Sequence, residues 1–244
     1  MTLLTGRVAL VTGASRRIGR AIALRLGAQG ARVVTHYRSS EAEAQAVAAE
    51  IIRGGGEAIC IKAELTRVRE IEQLIDEAER RFGRLDILVN NAAAFSPTPL
   101  GKTDEAQLDA ILDTNLKAQF FAAQRAAPLL QRSGEGRIIN LASLGGLQAW
   151  TTYSAYSVSK AGVIMLTRCL ARVLAPEVTV NAIAPGTISF EDDAPEVAQR
   201  AIRSTPLRRT GSAEDITDAV MYLIGAGFVT GEVLAVDGGA SIPF

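Results

Sequence analysis

Short runs rich in β-branched residues alternate with longer stretches of helical periodicity from one end of this chain to the other. That alternation limits the fold more than any other feature. Residues 7–12, 32–36, 57–62, 85–90, 137–142, 178–184 and 233–236 read as strands, and residues 17–29, 41–53, 68–82, 104–130, 154–174 and 213–224 as helices. Val8-Ala-Leu-Val11 and Ile87-Leu-Val89 are apolar throughout, as strands covered on both faces are. Gly30, Gly83 and Gly136 fall where helices stop or strands begin. Repeated β-α-β units call for a parallel sheet with right-handed crossovers. The 244 residues show no linker, low-complexity segment or fixed-period repeat. The expectation is an α/β fold: a single doubly wound domain over residues 1–244, with a parallel seven-stranded sheet and helices on both faces.

Charge and composition narrow the function. Twenty-six basic residues balance 26 acidic ones, so nothing points to nucleic acid or an anionic membrane as partner. The arginine pairs Arg16-Arg17, Arg80-Arg81 and Arg208-Arg209 are isolated, and most are expected to be solvated. His36 is the only histidine, which excludes a histidine-based triad or a multi-histidine metal site. Cys60 and Cys169 both lie in apolar stretches and are expected as buried thiols, with no metal bound. No apolar run reaches about 18 residues and no leader pattern precedes the first strand, so the expected location is cytoplasmic.

The first strand runs into Thr12-Gly-Ala-Ser-Arg-Arg-Ile-Gly19, followed by a helix. Strand, glycine turn and helix N-terminus together make an anion site suited to a pyrophosphate. βα turns also carry glycine for purely structural reasons, but the place of this one after the first strand favours a dinucleotide. The end of the second strand distinguishes NAD from NADP. A free ribose hydroxyl calls for an acid there, whereas Thr35-His36-Tyr37-Arg38-Ser39-Ser40 offers cations and hydroxyls with no carboxylate before Glu41. NADPH/NADP is the expected cofactor, with Arg16 closing on the same phosphate.

Tyr156 and Lys160, spaced by four on a predicted helix, share one face. An ammonium near a phenol is expected to lower the phenol's pKa, and Ser143, thirteen residues before Tyr156 at a strand end, can hold an oxygen that both groups touch. Taken alone, a Tyr-x-x-x-Lys spacing is as compatible with an ordinary surface helix. Tyr153 is the fallback acid, at a spacing of seven from Lys160.

These ordered motifs resemble the short-chain dehydrogenase/reductase family over essentially the whole length. Thr12, Gly13 and Gly19 match its glycine turn, with Arg17 in place of the middle glycine, and Asn90-Asn91-Ala92-Ala93 matches its motif after strand four. Asn181-Ala-Ile-Ala-Pro185-Gly186 matches its nicotinamide-side motif, and Val236-Asp237-Gly238-Gly239 its C-terminal signature. The resemblance implies a Rossmann-like fold and an NADP-dependent oxidoreductase with Asn115, Ser143, Tyr156 and Lys160 as catalytic residues. It implies cofactor contacts from Gly13, Ser15, Arg16, Arg17, Ile18, His36, Tyr37, Arg38 and Ser39. Further contacts fall to Glu64, which stands where the family carries an Asp beside the adenine, and to Leu65, Asn91, Ala92, Ala93, Tyr156, Lys160, Pro185, Gly186 and Ile188. Substrate contacts fall on Arg17, Phe95, Ser143 and Tyr156.

Arg17, the His-Tyr-Arg-Ser loop and the Asn-Asn-Ala-x-x-Phe stretch ending at Phe95 are similar to the pteridine reductase branch. In that branch the aromatic residue stacks on a pterin; the alternative for Phe95 is packing on the sheet edge. Ser143 instead matches the carbonyl-reducing members, including 3-oxoacyl reductases. Tyr156 is expected to give its proton as hydride arrives, Ser143 to steady the substrate oxygen, Lys160 to acidify the phenol and hold the nicotinamide ribose, and Asn115 to position a water. Residues 187–206, with Glu191-Asp192-Asp193, are expected as a substrate loop with a short helix, its acids a solvated turn in preference to a substrate contact. Reduction of a small-molecule carbonyl leads. Reduction of a dihydropterin or dihydrofolate, and a non-catalytic NADP sensor, are the alternatives. The long second-half helices carry more apolar positions than one sheet face needs, and a homo-oligomer, tetramer or dimer, is expected.

Overall fold

The computed structural model describes residues 4–242. Its strands are β1 (Val8–Val11), β2 (Arg32–Tyr37), β3 (Glu57–Lys62), β4 (Ile87–Asn90), β5 (Gly136–Leu141), β6 (Val178–Pro185) and β7 (Val233–Val236). They form one parallel seven-stranded sheet in the order β3-β2-β1-β4-β5-β6-β7. The connecting helices are α1 (Arg17–Ala28), α2 (Glu41–Arg53), α3 (Val68–Phe82), α4 (Glu105–Leu112), α5 (Ala118–Arg132), α6 (Ser154–Val173), α7 (Pro195–Ser204) and α8 (Ala213–Gly225).

The period-two geometry of a strand divides the apolar runs between two cores. Ala9, Val11, Ile87 and Val89 face α1, α2 and α8, against Ile22, Leu26, Ile51, Val220 and Leu223. Val8, Leu10 and Leu88 face α3 and α5, against Ile71, Ile75, Ala122 and Leu129. Full burial of such side chains stabilises the sheet by about 1.5–3 kcal/mol each, which explains why these strands read as unbroken apolar runs. The architecture is the doubly wound, Rossmann-like α/β fold expected.

The helix expected over 104–130 is interrupted. Asp104 opens α4 with a capping box to Gln107, and residues Asp113–Lys117 then widen into a π turn before α5 resumes. Pro195 at the first turn of α7 starts the short helix inside the 187–206 segment. Between β1 and β4 the connections leave in opposite directions, and this opens a crevice at the C-terminal ends of the strands.

Candidate active site

A cleft of about 880 Å³ occupies that crevice and runs from the end of β2 to the start of α6. Its floor is tied across the crevice. Thr12 Oγ1 accepts the N–H groups of Asn91 and Ala92 at 2.9 and 3.0 Å, while Asn91 Nδ2 donates back to the carbonyls of Thr12 and Gly13. Gly13 takes φ +63°, and a Cβ on Gly19 would stand 2.2 Å from the Gly13 oxygen. The turn therefore requires both glycines. Arg17 also sits in the left-handed region, at φ +52°.

His36 lines the cleft and also holds this turn through its ring. Gly13 N–H donates to its Nδ1 at 3.0 Å, Ala14 N–H to its carbonyl at 2.9 Å, and its Nε2 lies 3.1 Å from the Ala63 oxygen. With Nδ1 accepting, Nε2 carries the proton and donates to Ala63. Burial pushes its pKa down to about 4, against smaller raising effects from Ala63 and Glu64, so the ring is neutral. The ring thus has a structural role in the turn while standing at the cleft where its cofactor contact is expected.

At the end of β2, the Arg38 side chain is 69% exposed, and Arg16, Ser39 and Ser40 line the same wall. The Tyr37 hydroxyl is hydrogen-bonded to Glu41. Glu64 lines the same wall of the cleft, where a contact beside an adenine is expected of it. Its Oε1 accepts Thr66 N–H at 3.1 Å and its Oε2 lies 4.0 Å from Arg38, because the extra methylene lets the carboxylate reach back into the loop after β3.

At the other end of the cleft stand Ser143, Tyr156 and Lys160. Ser143 ends the β5 segment in extended backbone and caps a 3₁₀ turn over Leu144–Gly146, accepting Gly145 N–H at 3.1 Å. That turn rides directly on α6: a Cβ on Gly146 would meet the Lys160 backbone at 2.7 Å. The start of α6 is fixed by the Ser96-Pro97-Thr98-Pro99 stretch. Thr98 N–H donates to the Thr152 oxygen, Ala155 N–H donates to Thr98 Oγ1, and Ser154 Oγ donates to the Thr98 oxygen at 2.7 Å. Tyr156 and Lys160 follow on one face of α6, and the Tyr156 hydroxyl is hydrogen-bonded to Ser143.

The electrostatics differ from the expectation. Burial raises the Tyr156 phenol above its ordinary value, against the lowering effect of the Ser143 hydrogen bond. Lys160 does not depress it. The ammonium lies 5.6 Å from the centre of the phenol ring and is given to the Leu141 oxygen at 2.6 Å. Its own pKa falls to about 8 through burial. The arrangement keeps the phenol protonated at neutral pH, as a proton donor must be.

Asn115 sits fully buried in the π turn, and both atoms of its side-chain amide are hydrogen-bonded. Oδ1 accepts Ala94 N–H at 2.7 Å, while Nδ2 donates to the Ala94 oxygen and to Ser159 Oγ, both at 3.0 Å. It clamps the loop after β4 onto α6. Arg17 crosses the cleft to Asp192 and Asp193 at 3.1 and 2.6 Å and lies 4.8 Å over the Phe190 ring. Asp192 and Asp193 are thus ion-paired within a turn whose Glu191 and Asp192 stay exposed to solvent. Arg80 and Arg209 likewise pair with Glu77 and Asp215. Cys169 is exposed on α6 and Cys60 half-buried; neither is the fully buried thiol expected, because both lie where their apolar stretches meet the outer surface.

Gly13, Ser15, Arg16, Arg17, Ile18, Leu65, Asn91, Ala92, Ala93, Phe95, Pro185, Gly186 and Ile188 all line the one cleft together with Ser143, Tyr156 and Lys160. Trp150, Thr114 and Phe190 line it too and were not foreseen; no local motif marks them. A cleft of this size, glycine-floored at one end, bordered by Arg16 and Arg38 and closed by a buried lysine, fits a nicotinamide dinucleotide. Among the described residues no group of three or more His, Cys, Asp or Glu side chains is placed to hold a metal ion, and no helix is long and apolar enough to cross a membrane.

Comparison with known proteins agrees with this geometry. A family model described as enoyl-(acyl carrier protein) reductase matches residues 13–241. A 3-oxoacyl-[acyl-carrier-protein] reductase of Synechocystis is 41% identical, with 98% of each chain covered. The enzyme of that name from Staphylococcus epidermidis is 39% identical over 95% of this chain and 97% of its own. Among solved structures, a mutant of a Serratia marcescens short-chain dehydrogenase/reductase superposes with a TM-score of 0.93 at 37% identity, covering 98% of this chain and 99% of that one. A dehydrogenase/reductase from Sinorhizobium meliloti 1021 gives a TM-score of 0.91 at 40% identity, over 97% and 96% of the two chains. A seven-stranded parallel sheet of this order, with the cleft, its tyrosine and its lysine where they stand, and relatives alike over nearly the full length, leave one conclusion: the chain is an oxidoreductase of the short-chain dehydrogenase/reductase family.

Proposed function

We propose that the protein is an NADPH-dependent reductase that delivers hydride to a carbonyl carbon of a 3-oxoacyl thioester, ketone or aldehyde, with Tyr156 as general acid. One observation carries the reading: the hydroxyl of half-buried Tyr156, hydrogen-bonded to Ser143 and four residues before a fully buried Lys160, faces a cleft whose other end is the glycine turn. A nicotinamide cofactor bound there supplies the hydride. Arg38 and Ser39, at the end of β2, hold the 2′-phosphate, and the turn from Gly13 to Ile18 holds the pyrophosphate. Ser143 orients the substrate oxygen, and Tyr156 gives that oxygen its proton. Lys160 holds the nicotinamide ribose and keeps positive charge beneath the phenol ring. Asn115 acts indirectly, by fixing α6 to the loop after β4. The relatives named 3-oxoacyl-[acyl-carrier-protein] reductase support a carbonyl substrate.

A second reading, reduction of a dihydropterin, draws on the exposed ring of Phe95 at the substrate end. Ser143 weighs against it, since a hydroxyl steadies a carbonyl oxygen and relays no proton to a ring nitrogen. The exposed Phe120, Val158 and Met165 of α5 and α6 support self-association into a dimer or tetramer. Following NADPH absorbance with an acetoacetyl thioester, a simple ketone and dihydrobiopterin in parallel tests the proposal. Turnover of a carbonyl compound and not the pterin is the expected result. Turnover of none of them would return the chain to a cofactor-binding sensor.

A further inference from the structure

The substrate end of the cleft is walled by aromatic rings that proton transfer does not require. Phe95 stacks face to face on Tyr153, with 4.4 Å between centroids and 9° between planes. It meets the Tyr156 ring edge-on at 4.7 Å and 81°. Trp150 lies parallel to Tyr156 at 6.1 Å and 13°, its indole backed by Gly145, where a Cβ would come within 2.9 Å of the ring. A single exposed phenylalanine carries no message. This one differs, because it belongs to a wall of rings around the proton donor and is held in place by polar bonds of the backbone. The Thr98 contacts to Thr152, Ser154 and Ala155 fix the loop that carries it against the start of α6. Phe95 remains 57% exposed although Tyr153 covers one of its faces, so the free aromatic surface is turned to the cleft that Phe95 and Trp150 both line.

We infer that the substrate carries an aromatic ring on or next to its carbonyl carbon, as an aryl ketone or aryl 3-oxo ester does; this rests on the carbonyl-reductase reading above. Conjugation keeps an aryl ring coplanar with its carbonyl. A ring laid against Phe95 therefore also fixes the plane of the carbonyl presented to Tyr156 and Ser143. A flexible aliphatic 3-oxoacyl chain has no such plane and gains only burial from the same wall. The ketone takes a hydride at carbon and, at oxygen, the proton of Tyr156; the secondary alcohol and the oxidised cofactor are the products, and a solvent proton restores the phenol.

Ethyl benzoylacetate and ethyl acetoacetate, which differ only in phenyl against methyl on the ketone, test this. With NADPH, kcat/KM for the phenyl ester should exceed that for the methyl ester by about tenfold, mainly through KM, as stacking plus burial of one ring supplies. Phe95→Tyr should keep that ratio, and Phe95→Leu, apolar but unable to stack, should lower it about threefold or more, leaving the part due to burial. Trp150 is the only tryptophan, so its fluorescence reports ligand at the wall: the phenyl ester should quench it and the methyl ester should not. Equal or better turnover of the methyl ester, or a ratio indifferent to Phe95→Leu, would overturn the inference. Turnover of neither ester with quenching by the phenyl one would remove the reductase reading and uphold the aromatic site. Turnover of neither without quenching would remove both.

Discussion

The Arg17 guanidinium lies 2.6 Å from the Asp193 carboxylate and joins the glycine turn to the segment at the mouth of the cleft, 176 positions later in the chain. The ion pair holds Asp193 below the usual carboxylate range, helped by the Phe190 N–H that the same carboxylate accepts. Pairs as exposed as this one contribute at most about 1 kcal/mol to global stability. Their effect is local. Asp192→Ala, which leaves the Asp193–Phe190 turn intact, should speed hydrogen exchange of the 195–204 amides by about threefold, and Asp193→Ala by about tenfold, with the urea midpoint scarcely moved. Unchanged exchange in both variants would show that the contact does not fasten the segment.

Tyr156 supplies the proton in the proposed reaction, so Tyr156→Phe should lower kcat by at least about 10²-fold, up to 10⁴. The phenylalanine keeps the edge contact with Phe95, and NADPH affinity, measured by fluorescence titration, should stay within about twofold of the original. A variant retaining more than a tenth of the activity would transfer the role elsewhere, with Tyr153 the first residue to test.

Lys160 links activity and stability with opposite signs. Its pKa of about 8, set by burial, means that the ammonium is present below pH 8 and lost above it. A reaction that needs the charge should lose kcat/KM as pH rises through about 8. Stability should move the other way. Between about 8 and the ordinary lysine value the unfolded chain binds the proton and the native chain does not, so unfolding free energy rises with pH across that window, by on the order of 3 kcal/mol. Lys160→Met should abolish the rise, stabilise the fold at pH 7 and cost nearly all activity. Urea titrations from pH 7 to 10 beside a pH–rate profile check both signs.

Arg38 and Glu64 bear on cofactor choice. Arg38→Ala should raise the KM for NADPH about tenfold or more and leave that for NADH nearly unchanged, since only the 2′-phosphate needs the guanidinium. The Glu64 carboxylate, 4.0 Å from Arg38, competes for the same cation. Glu64→Gln should therefore strengthen the preference for NADPH by about threefold, as befits an exposed pair. Equal effects of Arg38→Ala on both cofactors would remove the assignment.

What was legible in the sequence was local. The Gly13–Gly19 spacing, the Tyr156–Lys160 spacing and the apolar strands are short-range patterns whose geometry follows from one turn or one strand. What was hidden depends on distant chain. Residues 113–117 continue the helical pattern without a break, so nothing in them announces the π turn that buries Asn115 and occupies its amide. Nothing in the basic loop after β2 announces that His36 also supports the glycine turn: the position of Ala63 and the Gly13 N–H, on two other elements, decides which way the imidazole faces. Trp150 and Thr98 become part of the site only because the loop after β4 meets the start of α6, a meeting that no motif records. Lys160 was expected to act on the phenol, but the Leu141 oxygen that draws its ammonium belongs to β5.

His36 offers a test of the turn that needs no substrate. Its imidazole accepts the Gly13 N–H and donates to Ala63, and the first of these bonds requires the neutral ring. In the folded protein the ring stays neutral down to about pH 4, whereas the unfolded chain protonates its histidine near 6.5. Between those values the unfolded state holds the extra proton. Unfolding free energy must then fall as pH drops from 6.5 to 4, by on the order of 3 kcal/mol, with no further loss from this group below 4. His36→Asn can still accept from Gly13 through its amide oxygen but does not titrate. It should flatten the stability profile between pH 6.5 and 4 at a modest cost at pH 7 and weaken NADPH binding only slightly. Urea midpoints taken every half unit of pH for both proteins decide the matter: parallel curves would mean that this ring does not hold the turn in its neutral form.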